Sequence, residues 1–206
     1  MGYIVYFENR MALTDEVFAR CGTANLDLVY WRELSEEDKR KICPHVTYIM
    51  VGATPITAEI MDLMPSLKMI LRFGTGVDNV DLEAAKKRNV CVANAPGANA
   101  NSVAEMTIGL ILSLYHRISY FDRRLREGHW DMFTYRANMF EMRNKVHGII
   151  GMGTIGKRVA ELSKAFGTKI VYWNRHRFTP EQETEMGITY MEIDDVLAAA
   201  DIVSLH

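Results

Sequence analysis

The sequence has little cysteine, no excess of either charge and no long apolar run, and each shortage removes a class of protein. Its three cysteines, Cys21, Cys43 and Cys91, are far apart and show no CxxC spacing. A sparse, odd-numbered set fits neither a disulfide framework nor a zinc site, and it agrees with a reducing, cytoplasmic setting. Lys and Arg number 24 against 26 Asp and Glu, a formal net charge of -2. That balance gives no electrostatic case for a nucleic-acid or anionic-membrane partner. The longest apolar segment, residues 106–115, falls well short of the ~20 residues that a bilayer-spanning helix needs. No basic stretch precedes an apolar one near the start, so no secretory signal is expected. Low-complexity tracts and short-period repeats are missing as well. What remains is a chain of 206 residues, 49% hydrophobic and 24% charged, an ordinary soluble composition with length for one large or two modest cores. The thirteen methionines read as adaptable core filler.

Two periods alternate along the first half. Short apolar or β-branched runs at residues 4–7, 26–31, 46–51, 68–73 and 90–93 predict strands. Helical stretches separate them at 14–20, 35–41, 57–64 and 82–88, with Thr14, Ser35, Thr57 and Asp81 as N-cap oxygens. Strand–helix alternation with nearly continuous apolar strands predicts a parallel sheet covered on both faces. Five such units predict a flavodoxin-like, doubly wound α/β domain over residues 1–98.

A turn-rich stretch at 94–101 then breaks the pattern. Ser102-Val103-Ala104-Glu105 reads as a capping box opening a helix of about four turns, to about Arg117. The amphipathic, aromatic segment 121–143 reads equally as a dimerisation arm or a connector. Alternation resumes with strands at 146–150, 169–173, 188–191 and 202–206, and helices at 156–166 and 194–200. Residues 99–206 are thus expected to form a second α/β domain that reaches its fourth strand.

Gly151-Met152-Gly153-Thr154-Ile155-Gly156 follows a strand and opens a helix. In that setting Gly151 permits the tight turn, Gly153 lets backbone approach a pyrophosphate, and Gly156 lets helix and strand pack closely. The helix N-terminus adds free N–H groups and a partial positive charge. The loop therefore predicts a bound dinucleotide and an NAD(P)-binding Rossmann domain. The second strand ends in Asn174-Arg175-His176-Arg177, where an acidic residue would select NAD. A neutral Asn174 removes the carboxylate that would repel a 2′-phosphate, and Arg175 or Arg177 can pair with one. NADP is favoured on that ground, with NAD the alternative.

These residues resemble the D-isomer-specific 2-hydroxyacid dehydrogenases, phosphoglycerate dehydrogenases among them. The likeness covers essentially the whole chain and rests on residues 71–80 (LRFGTGVDNV), 94–97 (NAPG) with Asn99 and 102–105 (SVAE), the glycine loop, and 201–206 (DIVSLH). It implies a flavodoxin-like substrate domain followed by a Rossmann domain, and hydride transfer between NAD(P) and a 2-hydroxy acid/2-oxo acid pair. It implies that Thr75 and Gly76 hold the substrate carboxylate, with Arg72 beside them and Thr75 also near the nicotinamide. Gly151, Gly153, Thr154, Ile155 and Gly156 match the pyrophosphate loop, Asn174 the ribose position, and His206 a strand end beside the cofactor.

Departures from the pattern matter too. Val51 stands where phosphoglycerate dehydrogenases tend to place a phosphate-pairing Arg. Asn144 replaces a usual Gly, and His147 an aliphatic residue of the first Rossmann strand, where it reads as a satisfied core histidine. The resemblance places the family's catalytic Arg, Glu and His beyond residue 206. No catalytic residue is therefore assigned, and the 206 residues alone are expected not to turn over a 2-oxo acid. A non-catalytic dinucleotide-binding module, corepressor-like or regulatory, is the alternative reading. The strand at 202–206 is expected to form a bare sheet edge and to favour a homodimer or other self-association.

Overall fold

The computed structural model describes residues 2–21, 27–131 and 133–206. They divide into two compact units, residues 1–98 and 99–206. In the first unit the elements run β1 (Tyr3–Tyr6), α1 (Ala12–Cys21), β2 (Asp27–Tyr30), α2 (Glu36–Ile42), β3 (Val46–Val51), α3 (Ala58–Asp62), β4 (Met69–Arg72), α4 (Leu82–Lys87) and β5 (Cys91–Ala93). The five strands are parallel in the order β2-β1-β3-β4-β5, the flavodoxin-like order. Val5, Phe7, Ile49, Val51, Ile56, Met64 and Ile70 are almost fully buried and form its core with the helices. Leu26, expected to begin the second strand, lies outside the described residues.

The caps divide into those the side chains make and those the backbone makes. Ser35 accepts from the Asp38 N–H, and Asp81 from the Ala84 N–H, as expected of Ser and Asp N-caps. Thr57 holds the N-cap position of α3 without a side-chain bond to its backbone. Thr14 is no cap at all. The helix starts at Ala12, and the Met11 carbonyl accepts from the N–H groups of Thr14 (2.9 Å) and Asp15 (3.1 Å).

The second unit comprises α5 (Ala100–Tyr115), α6 (Ile118–Arg126), β6 (Val146–Ile150), α7 (Thr154–Ala165), β7 (Lys169–Trp173), α8 (Pro180–Met186), β8 (Ile188–Tyr190), α9 (Ile193–Ala199) and β9 (Ile202–Leu205). Its strands are parallel in the order β8-β7-β6-β9, which is the 3-2-1-4 portion of a Rossmann sheet. The chain is thus α/β throughout, with a flavodoxin-like and a Rossmann sheet.

The expected capping box at Ser102 and Glu105 does not form. The α5 helix begins earlier, with Asn99 at the N-cap and its carbonyl accepting from Val103, so Ser102 sits inside the first turn. The true capping box is at α8, where Thr179 and Gln182 exchange side-chain and backbone bonds and Pro180 occupies N1. No residue of that helix is buried, so hydrophobic period gives no sign of it. Asn144 has φ +64°, a left-handed conformation that Asn tolerates better than most residues, which explains its place where a Gly is usual. Among the described residues no helix is long and apolar enough to cross a membrane.

Candidate functional site

The glycine loop is held by the strands on either side of it. Gly151 has φ +98°, and its N–H donates to the Trp173 carbonyl at the end of β7 (2.9 Å). A Cβ at Gly151 would lie 2.1 Å from the His206 carbonyl oxygen, so only glycine fits between the two strand ends. Met152 is buried and pins the loop to the core of the second unit. At Gly156 a Cβ would come within 2.2 Å of the Gly151 carbonyl oxygen, which is how the first turn of α7 packs against the loop. Gly153 differs from both. It is the extended N-cap of α7, and a Cβ there would meet nothing within 4 Å. That open space is where a phosphate can approach backbone.

Thr154 begins α7, and the first intrahelical N–H bond runs from Lys157 to the Gly153 carbonyl at 3.0 Å. The N–H groups of Thr154, Ile155 and Gly156 therefore lack helical partners, as in any first turn. Thr154 is exposed, whereas the Ile155 side chain packs on the core and leaves only its backbone for a ligand.

Past β7, the Asn174 side chain fastens the turn. Its Oδ1 accepts from the Met152 N–H at 3.3 Å, and its Nδ2 donates to the His176 carbonyl at 3.0 Å. Arg177 is already engaged. Its guanidinium donates to both carboxylate oxygens of Glu183 (2.8 and 3.0 Å) and lies 4.9 Å from the Tyr190 ring centroid. The hydrogen bond to Glu183 raises the Arg177 pKa, and Arg177 in turn holds the Glu183 carboxyl below its usual range. Of the two arginines expected to pair with a 2′-phosphate, Arg177 is thus engaged with Glu183, while Arg175 is exposed. His206 caps β9, its N–H donating to the Ile150 carbonyl at 2.9 Å, beside Gly151.

In the first unit, residues 73–78 follow β4. Gly74 has φ +146° and donates to the Arg72 carbonyl, while its own carbonyl accepts from Ala95. The Asn94 amide donates to the Thr75 carbonyl at 2.6 Å, and a Cβ at Gly76 would meet Asp78 Oδ2 at 2.8 Å. Arg72 curls over this loop. Its Nη1 donates to the Phe73 carbonyl at 3.2 Å, and its buried Nε has no protein partner.

Two residues outside the expected site, Glu8 and Asn79, shape the neighbouring loop. Glu8 Oε1 accepts from the N–H groups of Gly52 (2.9 Å), Ala53 (2.8 Å) and Thr54 (2.9 Å). Burial pushes the Glu8 carboxyl up, but these donors together outweigh it and hold the pKa below its usual value. Asn79 Nδ2 donates to the carbonyls of Gly52 (3.2 Å) and Thr54 (2.8 Å). Asn79 lies within the stretch 71–80, but only the fold reveals its partner, 25 residues away in sequence.

A family model described as "D-isomer specific 2-hydroxyacid dehydrogenase, catalytic domain" matches residues 4–201. The chain belongs to this family. It is 36% identical over 174 residues to the hydroxypyruvate reductase of Thermotoga maritima, covering 84% of this chain and 55% of that protein. Among solved structures, it superposes on a D-lactate dehydrogenase from Aquifex aeolicus in complex with NAD and lactic acid. There the TM-score is 0.82 at 27% identity, covering 98% of this chain and 60% of that one. It also matches an acyclic imino acid reductase in complex with NADPH and D-Arg, at TM-score 0.77 and 25% identity, covering 98% of this chain and 64% of that one. The chain thus spans about half the length of the reductase it matches.

Proposed function

We propose that this chain carries the nicotinamide-binding and substrate-binding parts of an oxidoreductase acting on a 2-hydroxy acid/2-oxo acid pair. The observation that carries this reading is the glycine loop, with open space over Gly153 and the unpartnered first-turn N–H groups of α7 beneath it. The dinucleotide, once bound, supplies the hydride chemistry. The chain's part is to hold and orient. Gly151, Gly153, Thr154, Ile155 and Gly156 would take the pyrophosphate on backbone, and Asn174 and Arg175 the adenosine ribose.

The 2-oxo acid would bind through the loop at Arg72, Thr75 and Gly76, whose orphan Arg72 Nε is a donor suited to an anion. A small, unphosphorylated acid suits the neighbouring loop. Glu8 already takes its three N–H groups, and Val51 is wholly buried with no cation in its place. The names of two similar proteins, hydroxypyruvate reductase and lactate dehydrogenase, agree with such a substrate.

Cofactor choice is the direct test. With Asn174 neutral and Arg175 exposed, NADP should bind more tightly than NAD by ~1 kcal/mol, about fivefold, at low salt. Asn174→Asp should reverse the preference by placing a carboxylate at the 2′ position. Calorimetric titration of both nucleotides checks this, and equal dissociation constants for the unaltered chain would remove the case for NADP.

Homodimerisation is proposed for the outer face of α5. Met106, Leu110 and Leu114 are 63%, 57% and 77% exposed at four-residue spacing, and Ile118 and Leu125 of α6 are exposed as well. The aromatic segment after α6 leaves Trp130 and Phe133 exposed as well. Leu114→Asp should convert a dimer to monomer in sedimentation, with the fold retained and the melting temperature no longer dependent on protein concentration. A dimer that survived it would move the interface elsewhere, for instance to the edge strand β9. A cytoplasmic setting is proposed with this, and Cys43 and Cys91 carry no disulfide.

A further inference from the structure

A line of polar side chains crosses the apolar face of the second sheet. Thr168 Oγ1 lies 2.8 Å from Ser163 Oγ, which lies 2.9 Å from His147 Nδ1. On the other side of the ring, His147 Nε2 is 2.9 Å from Ser204 Oγ, and Ser204 Oγ is 2.9 Å from His206 Nε2. His147, Ser163 and Thr168 are buried, Ser204 is half-buried and His206 is exposed. Strand register explains the alignment. His147 pairs with Ile202 and Ile149 with Ser204, so His147, Ser204 and His206 share one face. The exposed end of the line therefore lies at the glycine loop, where the His206 carbonyl meets Gly151.

Hydrogen counting links the two rings. Each hydroxyl has one hydrogen to give, and a neutral imidazole has one N–H. If His147 carries its hydrogen on Nδ1, it donates to Ser163 and its Nε2 accepts from Ser204. Ser204 has then spent its hydrogen and must receive one from His206 Nε2. If His147 carries its hydrogen on Nε2, it donates to Ser204, which donates onward to His206 Nε2. His206 must then carry its own hydrogen on Nδ1. A third arrangement, in which both Nε2–H groups donate to the two lone pairs of Ser204, leaves the Ser204 hydrogen with no partner among the described residues, so only the first two keep that hydrogen within the line. Burial, and after it the charge of His206, lowers the His147 pKa to about 4, so the ring is neutral near pH 7.

We propose that His147 is a positioning residue that acts through Ser204 to fix the tautomer of His206, and with it whether His206 Nδ1 donates or accepts beside the glycine loop. That His206 Nδ1 addresses a dinucleotide rests on the proposed function; the linkage between the rings does not.

Long-range proton–nitrogen spectra of the histidine rings, taken on the ligand-free chain, read the tautomers directly. His147 and His206 should each show a single tautomer, one protonated at Nδ1 and the other at Nε2. Ser204→Ala removes the bridge and should return His206 to the averaged pattern of a free imidazole, with the melting temperature lowered by several degrees because the buried His147 Nε2 loses its partner. His147→Asn retains reach to Ser163 but not to Ser204 and should do the same; should it fail to fold, Ser204→Ala decides. An averaged His206 in the unaltered chain, or an unchanged one in Ser204→Ala, overturns the linkage. Titration with NADPH and NADH then tests its use. Ser204→Ala should weaken binding roughly three- to tenfold, the scale of one hydrogen bond. Unweakened binding would overturn the role of His206 at the loop. Failure of the unaltered chain to bind either nucleotide would overturn the proposed function and that role with it, while the spectra would still decide the linkage.

Discussion

Gly153→Val is expected to abolish dinucleotide binding and leave the fold intact. The two halves of this result have separate causes. Gly153 is an extended N-cap with φ -79°, a backbone conformation open to any L residue, and its Cβ direction meets nothing within 4 Å. A valine is therefore accommodated in the unliganded chain, and the melting temperature should stay within about 2 °C of the parent, a change well under 1 kcal/mol. The same open space is the approach to the first-turn N–H groups of Thr154, Ile155 and Gly156. Two methyl groups there hold a phosphate off the backbone, and several charge-assisted bonds are lost together. The loss should reach at least ~3 kcal/mol, more than 100-fold in dissociation constant. Gly156→Val is the converse control. Its Cβ would press within 2.2 Å of the Gly151 carbonyl, so the cost falls on folding, at about 3 kcal/mol. Calorimetry on folded Gly153→Val showing parental affinity would mean that this loop holds no phosphate.

The legible parts of the molecule were those fixed by local pattern. Strands β3, β6 and β7 have the bounds that their apolar runs predict, because a buried parallel strand is apolar over its whole length. Strand orders follow from alternation, since each crossover helix must return the chain to a neighbouring parallel strand. Caps were harder. Ser102 and Glu105 have the spacing of a capping box, but α5 had already begun at Ala100, and a pattern of four residues cannot say which turn it belongs to. Helix α8 was overlooked because its residues are polar all round, with none buried, so hydrophobic period gave no signal although Thr179-Pro180 marked its start.

At the candidate site, backbone roles were legible and side-chain partnerships were not. Glycines 151 and 156 have steric demands that their spacing announces. Nothing in the run Asn174-Arg175-His176-Arg177 shows that Glu183, on the next helix, would bind Arg177 with two bonds. Glu8 and Asn79 were hidden for the same reason. Each holds a loop whose residues are 25 to 46 positions away, and such pairings exist only once the sheet has formed.

His147 should make stability fall as the pH is lowered from 6.5 towards 4. The ring is 0% exposed, and burial brings its folded pKa from an ordinary 6.5 to about 4. Above pH 6.5 the imidazole is neutral in both the folded and unfolded chain, so it contributes no pH dependence. Between 6.5 and about 4 the unfolded imidazole takes up a proton that the folded one refuses, and the equilibrium shifts towards unfolding. Below about 4 both states are protonated and the loss is complete. At about 1.4 kcal/mol per pH unit the interval amounts to ~3 kcal/mol, a large share of the 5–15 kcal/mol typical of a domain. Carboxylates titrate in the same range, so the effect must be isolated by difference. His147→Leu keeps a buried side chain of similar size and cannot titrate. Between pH 7 and pH 4, denaturant unfolding should show the unaltered chain losing ~3 kcal/mol more than the variant. The variant starts less stable at pH 7, because Ser163 and Ser204 lose a partner, so the two curves should converge in acid. Parallel curves would show that the folded chain protonates His147 as readily as the unfolded one does. In that case the ring could not be the neutral, dry link between Ser163 and Ser204 that the hydrogen count requires.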